Sequence, residues 1–246
     1  MYRSLDANKI VETVAVARDH IARRFPGSSL SKVAEEIHAV SSHAAELSAW
    51  LAKPHLPLRA FAGFGIAAVL IIVLSVAFNL KIQPTFGSIA EFLQGSEAAI
   101  NEVVFLGIAV FFFFSLETRL KRRRALQAIH VLRSMAHIID MHQLPKDPER
   151  IVAGATPQET TARRPQNPAE LIRYLDYCSD LLALLSKIAA LYVQKFNDPV
   201  TLSAVNEVEN LTNGLSRKIW QKIMIFDRIL APGNSPVPSP RLPGRE

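Results

Sequence analysis

The chain has 246 residues, 49% of them apolar, a formal net charge of +6 and one cysteine, Cys178. That length allows one or two domains. A single cysteine excludes an internal disulfide and the cysteine pairs of most zinc modules, and it suits a reducing, cytoplasmic setting. The positive charge alone would suit nucleic acid, but much of it sits in Lys121-Arg122-Arg123-Arg124, just after an apolar run. Anionic lipid headgroups would meet it there.

Residues 1–25 carry Asp6, Glu12 and Asp19 and no unbroken apolar run. They do not read as a secretory signal peptide, so the first span would act as its own insertion signal. Two helices are predicted before that span. The first covers 5–25, with a stripe at Ile10, Val14, Ala17 and Ile21, and Pro26-Gly27-Ser28 breaks it. The second covers 30–52. Leu30, Val33, Ile37, Val40, Ala44, Leu47 and Leu51 alternate steps of three and four, a heptad seam that requires a partner helix.

Residues 60–80 are 21 in number and carry no charge. As a helix they span roughly 31 Å, against a hydrocarbon core of about 30 Å. Gly63, Gly65, Ala62, Ala67 and Ala68 give this span a small-residue face near its start; such a face either lets helices approach closely or reflects ordinary span composition. The connector 81–100 carries Pro84, Gly87 and Gly95 as turn residues and a short amphipathic piece at Ile89, Phe92 and Leu93. The second apolar run, 103–116, holds 14 uncharged residues, only about 21 Å of helix. Extending it back to Ala98 draws in Asn101 and Glu102. Glu102 is thus either an interfacial acid or an intramembrane carboxylate on an ion path.

The connector has one Lys and two Glu, whereas Lys53 and Arg59 flank the first span and Arg119 with Lys121, Arg122, Arg123 and Arg124 flank the second. The positive-inside rule then puts both termini in the cytoplasm. The same basic residues read as lipid-headgroup contacts.

With Ser96 as N-cap and no proline before Pro145, the second span is predicted to run on to about residue 143. Its cytosolic half has an apolar arc of Ala128, Ile129, Val131, Leu132, Met135, Ala136, Ile138 and Ile139. Residues 144–166, rich in proline, read as a linker. Asn167-Pro168-Ala169-Glu170 is a strong helix start. That helix is expected to reach Phe196 along Leu171, Leu175, Cys178, Leu182, Leu185, Ala189, Tyr192 and Phe196. Asp198-Pro199 begins the last helix, to about residue 230, packing through Val205, Val208, Leu211, Leu215, Ile219, Phe226 and Leu230, with Asn213-Gly214 as a kink or break. Five prolines and two glycines mark 231–246 as a disordered tail.

The fold class expected is all-α: a two-helix transmembrane hairpin with a cytoplasmic antiparallel helical bundle. Its segments are 1–57, N-terminal helices; 58–120, the hairpin; 121–143, an extension of the second span; 144–166, a linker; 167–230, a helical hairpin; and 231–246, a tail.

One group of residues carries ligand chemistry. His130, Arg133, Ser134, His137 and Asp140 share a polar stripe, with His142 close by. His130, His137, Asp140 and His142 are metal-ligating types, but a site needs three or four of them converging. Asp176, Asp180, Glu207 or Glu209 would have to complete it. The competing readings are a polar network in which Arg133 pairs with another helix, a solvated face, and a pH-sensing histidine cluster. His38 and His43 lie off the seam and read as surface residues. No P-loop, G-x-G-x-x-G, H-E-x-x-H or nucleophile elbow occurs, so neither catalysis nor a cofactor is expected.

Two adjacent spans, flanking cytoplasmic helices and a long helical C-terminal part resemble the layout of SLATT-type effectors, bacterial membrane proteins of conflict systems. The stretch from Arg133-Ser134-Met135-Ala136-His137 to Lys146-Asp147-Pro148 is also similar to uncharacterised bacterial two-span inner-membrane proteins. The resemblance implies an inner-membrane location and pore formation in answer to a partner; no motif carries a residue role across. Three functions remain open. One is a non-enzymatic, homo-oligomeric effector or scaffold that contacts membrane lipids and a cytoplasmic protein partner, not nucleic acid. The others are an ion channel or transporter subunit using Glu102, and a metal-binding enzyme or sensor at His130–His142.

Overall fold

The computed structural model describes residues 4–79, 89–143 and 168–230. Several expectations lie outside the described residues: the turn at Pro84 and Gly87, the linker, the Asn167 cap and the tail. The packing of the Leu230 side chain lies outside them too.

Among the described residues the chain is all-helical and has no strand. The described residues form six helices: α1 (Ala7–Arg24), α2 (Ser29–Ala52), α3 (Leu56–Asn79), α4 (Ile89–Gln143), α5 (Pro168–Leu191) and α6 (Pro199–Leu230). Two of them, α3 and α4, contain stretches long and apolar enough to cross a membrane. The chain divides into two compact units, Met1–Trp50 with Ala125–Glu246, and Leu51–Arg124.

In the first unit, α1 starts where Asp6 Oδ1 accepts from the backbone N–H of Asn8 at 3.0 Å, a conventional side-chain cap. Ile10, Val14 and Ile21 are buried and Ala17 is half-buried. Gly27 has φ +70°, a left-handed turn residue that glycine adopts without cost. Ser28 Oγ then accepts from Ser31 N–H at 3.1 Å and starts α2.

The buried face of α2 differs from the predicted seam. Leu30, Val33, Ile37, Ala44 and Leu51 are buried as expected. Ala34 and Ser41 join them, both 0% exposed, while Val40 and Leu47 are only half-buried. At Val40 the face has turned by one residue, to Ser41. Ser41 satisfies its hydroxyl on His38 O at 2.7 Å. Ser48 Oγ donates to Leu191 O at the end of α5, at 2.9 Å, a contact to backbone that a larger residue would block.

α5 packs against both α1 and α6. Burial extends beyond its predicted seam to Tyr174, Leu181, Leu184, Ile188 and Leu191, as expected of a helix with neighbours on several sides. It ends at Leu191 instead of Phe196. Tyr192 N–H bonds Ala189 O at 3.2 Å, tightening the last turn, and Gln194 Nε2 donates to Leu5 O at 3.0 Å. Asp198 Oδ2 then accepts from Thr201 N–H at 2.9 Å and caps α6. That helix passes through Asn213-Gly214 without a break, because a single glycine costs a helix only about 1 kcal/mol. Ala125, Ile129, Leu132, Met135, Ala136 and Ile139 of α4 are buried, whereas Val131 and Ile138 are exposed.

In the second unit, α3 and the apolar part of α4 meet where the backbone at Gly65 lies against the Phe113 ring. A Cβ at Gly65 would fall 2.6 Å from a Phe113 ring carbon. Phe61 and Phe113 stack edge-on at 6.4 Å. α4 begins at Ile89, not after Ser96. Ser96 is inside the helix with its hydroxyl on Phe92 O at 2.8 Å, so its preference for a cap is satisfied locally. At 55 residues the helix is about 80 Å long.

Candidate functional site

The His130–His142 stripe does not gather into a ligand set. His130 and His137 are exposed, and Asp140 and His142 are half-buried. Among the described residues no group of three His, Cys, Asp or Glu is placed to hold a metal ion. The stripe instead makes contacts between helices and within its own turn. Arg133 Nη1 donates to Glu207 Oε2 of α6 at 3.2 Å, both side chains being more than half exposed. Asp140 Oδ1 accepts from Gln143 Nε2 at 2.6 Å. Asp176 and Asp180 are exposed on α5. Partial burial and then the neighbouring Asp176 charge push the Asp180 carboxyl above its usual range.

His38 is half-buried, with Nδ1 3.2 Å from Arg18 Nη1 of α1. His43 is exposed. Cys178 is fully buried. Glu102 is exposed on α4, as are its neighbours Asn101 and Val103.

The basic cluster divides in two. Arg119, Arg123 and Arg124 are exposed and Arg122 is half-buried. The Arg119 guanidinium carbon sits 5.6 Å from the centre of the Phe112 ring, within cation–π range. Lys121 has other partners. Its side chain is 9% exposed, and Nζ donates to Lys53 O at 2.8 Å. It also pairs with Glu117 Oε1 at 2.9 Å. Lys121 is thus held by protein groups on both sides.

Glu117 is the centre of a polar cluster in this unit that the sequence reading missed. Oε2 accepts from Arg59 Nε at 2.6 Å, and Oε1 also accepts from His55 N–H at 3.2 Å. One carboxylate, 15% exposed, thus ties the start of α3 to α4. His55 and Arg59 stand at the first turn of α3; Glu117 and Lys121 follow the apolar run of α4. Both ends meet at the basic side of the apolar stretches. A usable signal was present: Glu117 and Lys121 are four apart, in the favourable helical order.

No protein-family model, curated protein or solved structure matches this chain.

Proposed function

We propose that this chain is a non-enzymatic, membrane-anchored effector or scaffold of the bacterial inner membrane. In this reading α3 and the apolar part of α4 form a two-span hairpin. The remaining helices form an antiparallel bundle in the cytoplasm, where both termini lie. The protein acts as a homo-oligomer and answers a cytoplasmic partner.

The observation that carries the reading is apolar surface with nothing over it. On α3, Phe64 is 77% exposed and Phe78 87%; on α4, Phe105 is 69% exposed and Phe114 81%. Aliphatic neighbours such as Ile71, Leu74, Val103 and Ile108 are exposed as well. Soluble monomers rarely present contiguous apolar patches beyond a few hundred Å². Hydrocarbon makes such a surface favourable, and helices satisfy their own backbone there. The Glu117 cluster supports the hairpin, since polar pairing at this end suits a water-facing boundary and leaves the apolar lengths free of charge. Arg119, Arg122, Arg123 and Arg124 support a cytoplasmic side for that end.

Alkaline carbonate extraction tests the anchor: the chain is expected in the membrane pellet, and release into the supernatant would refute it. Cysteine labelling tests the orientation. Cys178 is buried, so the unmodified chain serves as the blank. A membrane-impermeant maleimide is expected to label Thr85→Cys in intact spheroplasts and Ser4→Cys only after lysis. The opposite pattern would invert the proposed topology.

A further inference from the structure

Within the first unit, α1 and α5 enclose an open cleft of about 480 Å³ lined by His20, Arg23, Arg24, Arg173 and Tyr177. Among the described residues no carboxylate lines it. Among the described residues none of Arg23, Arg24 and Arg173 forms an ion pair; Arg23 Nε reaches the backbone carbonyl of Asp19 at 3.3 Å. A stabilising explanation covers part of the set. Arg23 and Arg24 lie in the last turn of α1, where the helix dipole favours cations. It does not cover Arg173, which comes from the opposite wall and lies in the second turn of α5. Three guanidiniums facing one cavity repel each other unless an anion sits among them.

We propose that this cleft binds a phosphate-bearing ligand. Guanidinium groups offer planar, paired N–H donors that match phosphate oxygens, and Arg23, Arg24 and Arg173 supply them from two sides. The volume falls in the usual range for small-molecule sites. Tyr177 adds an aromatic wall, held edge-on to Phe25 at 6.3 Å, against which a planar ring can rest. The ligand chemistry is therefore a phosphate group, carried either by a soluble nucleotide or by an anionic lipid headgroup. The proposal does not depend on the membrane reading.

The test is calorimetric titration of the full chain in zwitterionic detergent. The probes are ATP, inorganic tripolyphosphate and glycerophosphoglycerol, the soluble headgroup of an anionic lipid. Saturable binding of at least one is expected, weakened about tenfold by Arg173→Gln and again by Arg23→Gln. Arg217→Gln, exposed on α6 and outside the cleft, is expected to bind as the unmodified chain does. Preference for ATP over tripolyphosphate that Tyr177→Ala abolishes assigns a nucleotide; preference for glycerophosphoglycerol assigns a lipid. Thermal melting without ligand separates loss of binding from loss of fold, because removing Arg173, which has no stabilising partner to set against repulsion by Arg23 and Arg24, leaves the midpoint unchanged or raises it. The proposal is overturned if no probe binds at millimolar concentration, or if the double Arg variant melts normally and binds like the unmodified chain.

Discussion

Glu117 shows how a single carboxylate is held by unequal partners. Its bond to Arg59 is the shortest, at 2.6 Å, but Arg59 is 60% exposed, so water and salt weaken that pair. Lys121 is 9% exposed and cannot reach water as easily. Glu117→Gln therefore leaves a poorly solvated ammonium with neutral carbonyl acceptors and no counter-charge, and is expected to cost about 2–3 kcal/mol. Adding Lys121→Met removes the stranded charge and is expected to recover most of the loss. Thermal midpoints in one detergent check both; equal midpoints for the single and double variants would mean that the charge was never stranded. Asp180 follows the opposite logic. Burial, then Asp176, raises its pKa, so ionisation favours the unfolded chain. Its contribution is intact below the ordinary Asp value of about 3.9 and is lost as pH rises through the higher folded value. Asp180→Asn is expected to raise the midpoint at pH 7, with the gain vanishing toward pH 4.

At the level of elements, helix positions were easier to read than helix faces. Caps at Asp6 and Asp198 and the Gly27 turn have local chemistry, and the sequence expectation found the starts and stops they cause. The face of α2 depends on what the helix meets. Counting large apolar residues selects Val33, Val40 and Leu47, of which Val33 is buried; close packing adds Ala34 and Ser41, and Ser48 reaches the Leu191 carbonyl. The two choices make different predictions. Ser41→Leu would overpack a site with 0% exposure and is expected to cost about 1–3 kcal/mol. Val40→Ser, at a half-buried position, is expected to cost about 1 kcal/mol or less. Chemical denaturation of the two variants decides between the faces. Gly214 gives a gain instead: its Cβ would meet nothing within 4 Å, so Gly214→Ala is expected to stabilise α6 by about 0.5–1 kcal/mol. The same distinction explains the candidate sites. Arg133 was readable as an inter-helix partner because its stripe faces away from the apolar arc. Glu117 was not, since its carboxylate is meaningful only once Arg59 and the His55 backbone, 58 and 62 positions earlier, are brought beside it.

For the whole molecule, the apolar surfaces of α3 and α4 are neutral as to whether lipid or further protein covers them, but Glu102 is not. Two spans give too little wall to enclose an aqueous path, and Glu102 lies exposed on α4 beside Asn101. Within hydrocarbon, an acid at the edge of a span is stabilised by reaching the headgroups or by facing polar groups of other spans. A pore-forming effector requires the second arrangement, because only a ring of copies places several such acids around one lumen. A scaffold requires several copies for a different reason: one copy has one partner surface. Both forms of the proposed function therefore predict an oligomer in mild detergent, resolved as a discrete multiple of the 27.2 kDa chain by native mass spectrometry. If Glu102 faces polar groups of other copies, Glu102→Leu would remove that polar contact and shift the distribution toward monomer, while Glu102→Gln, which keeps a polar side chain, would preserve it. A monomer for the unmodified chain at every detergent concentration tried would remove both the pore and the scaffold. The chain would then be an anchored helical domain whose apolar spans meet only lipid, and Glu102 an acid that reaches the interface.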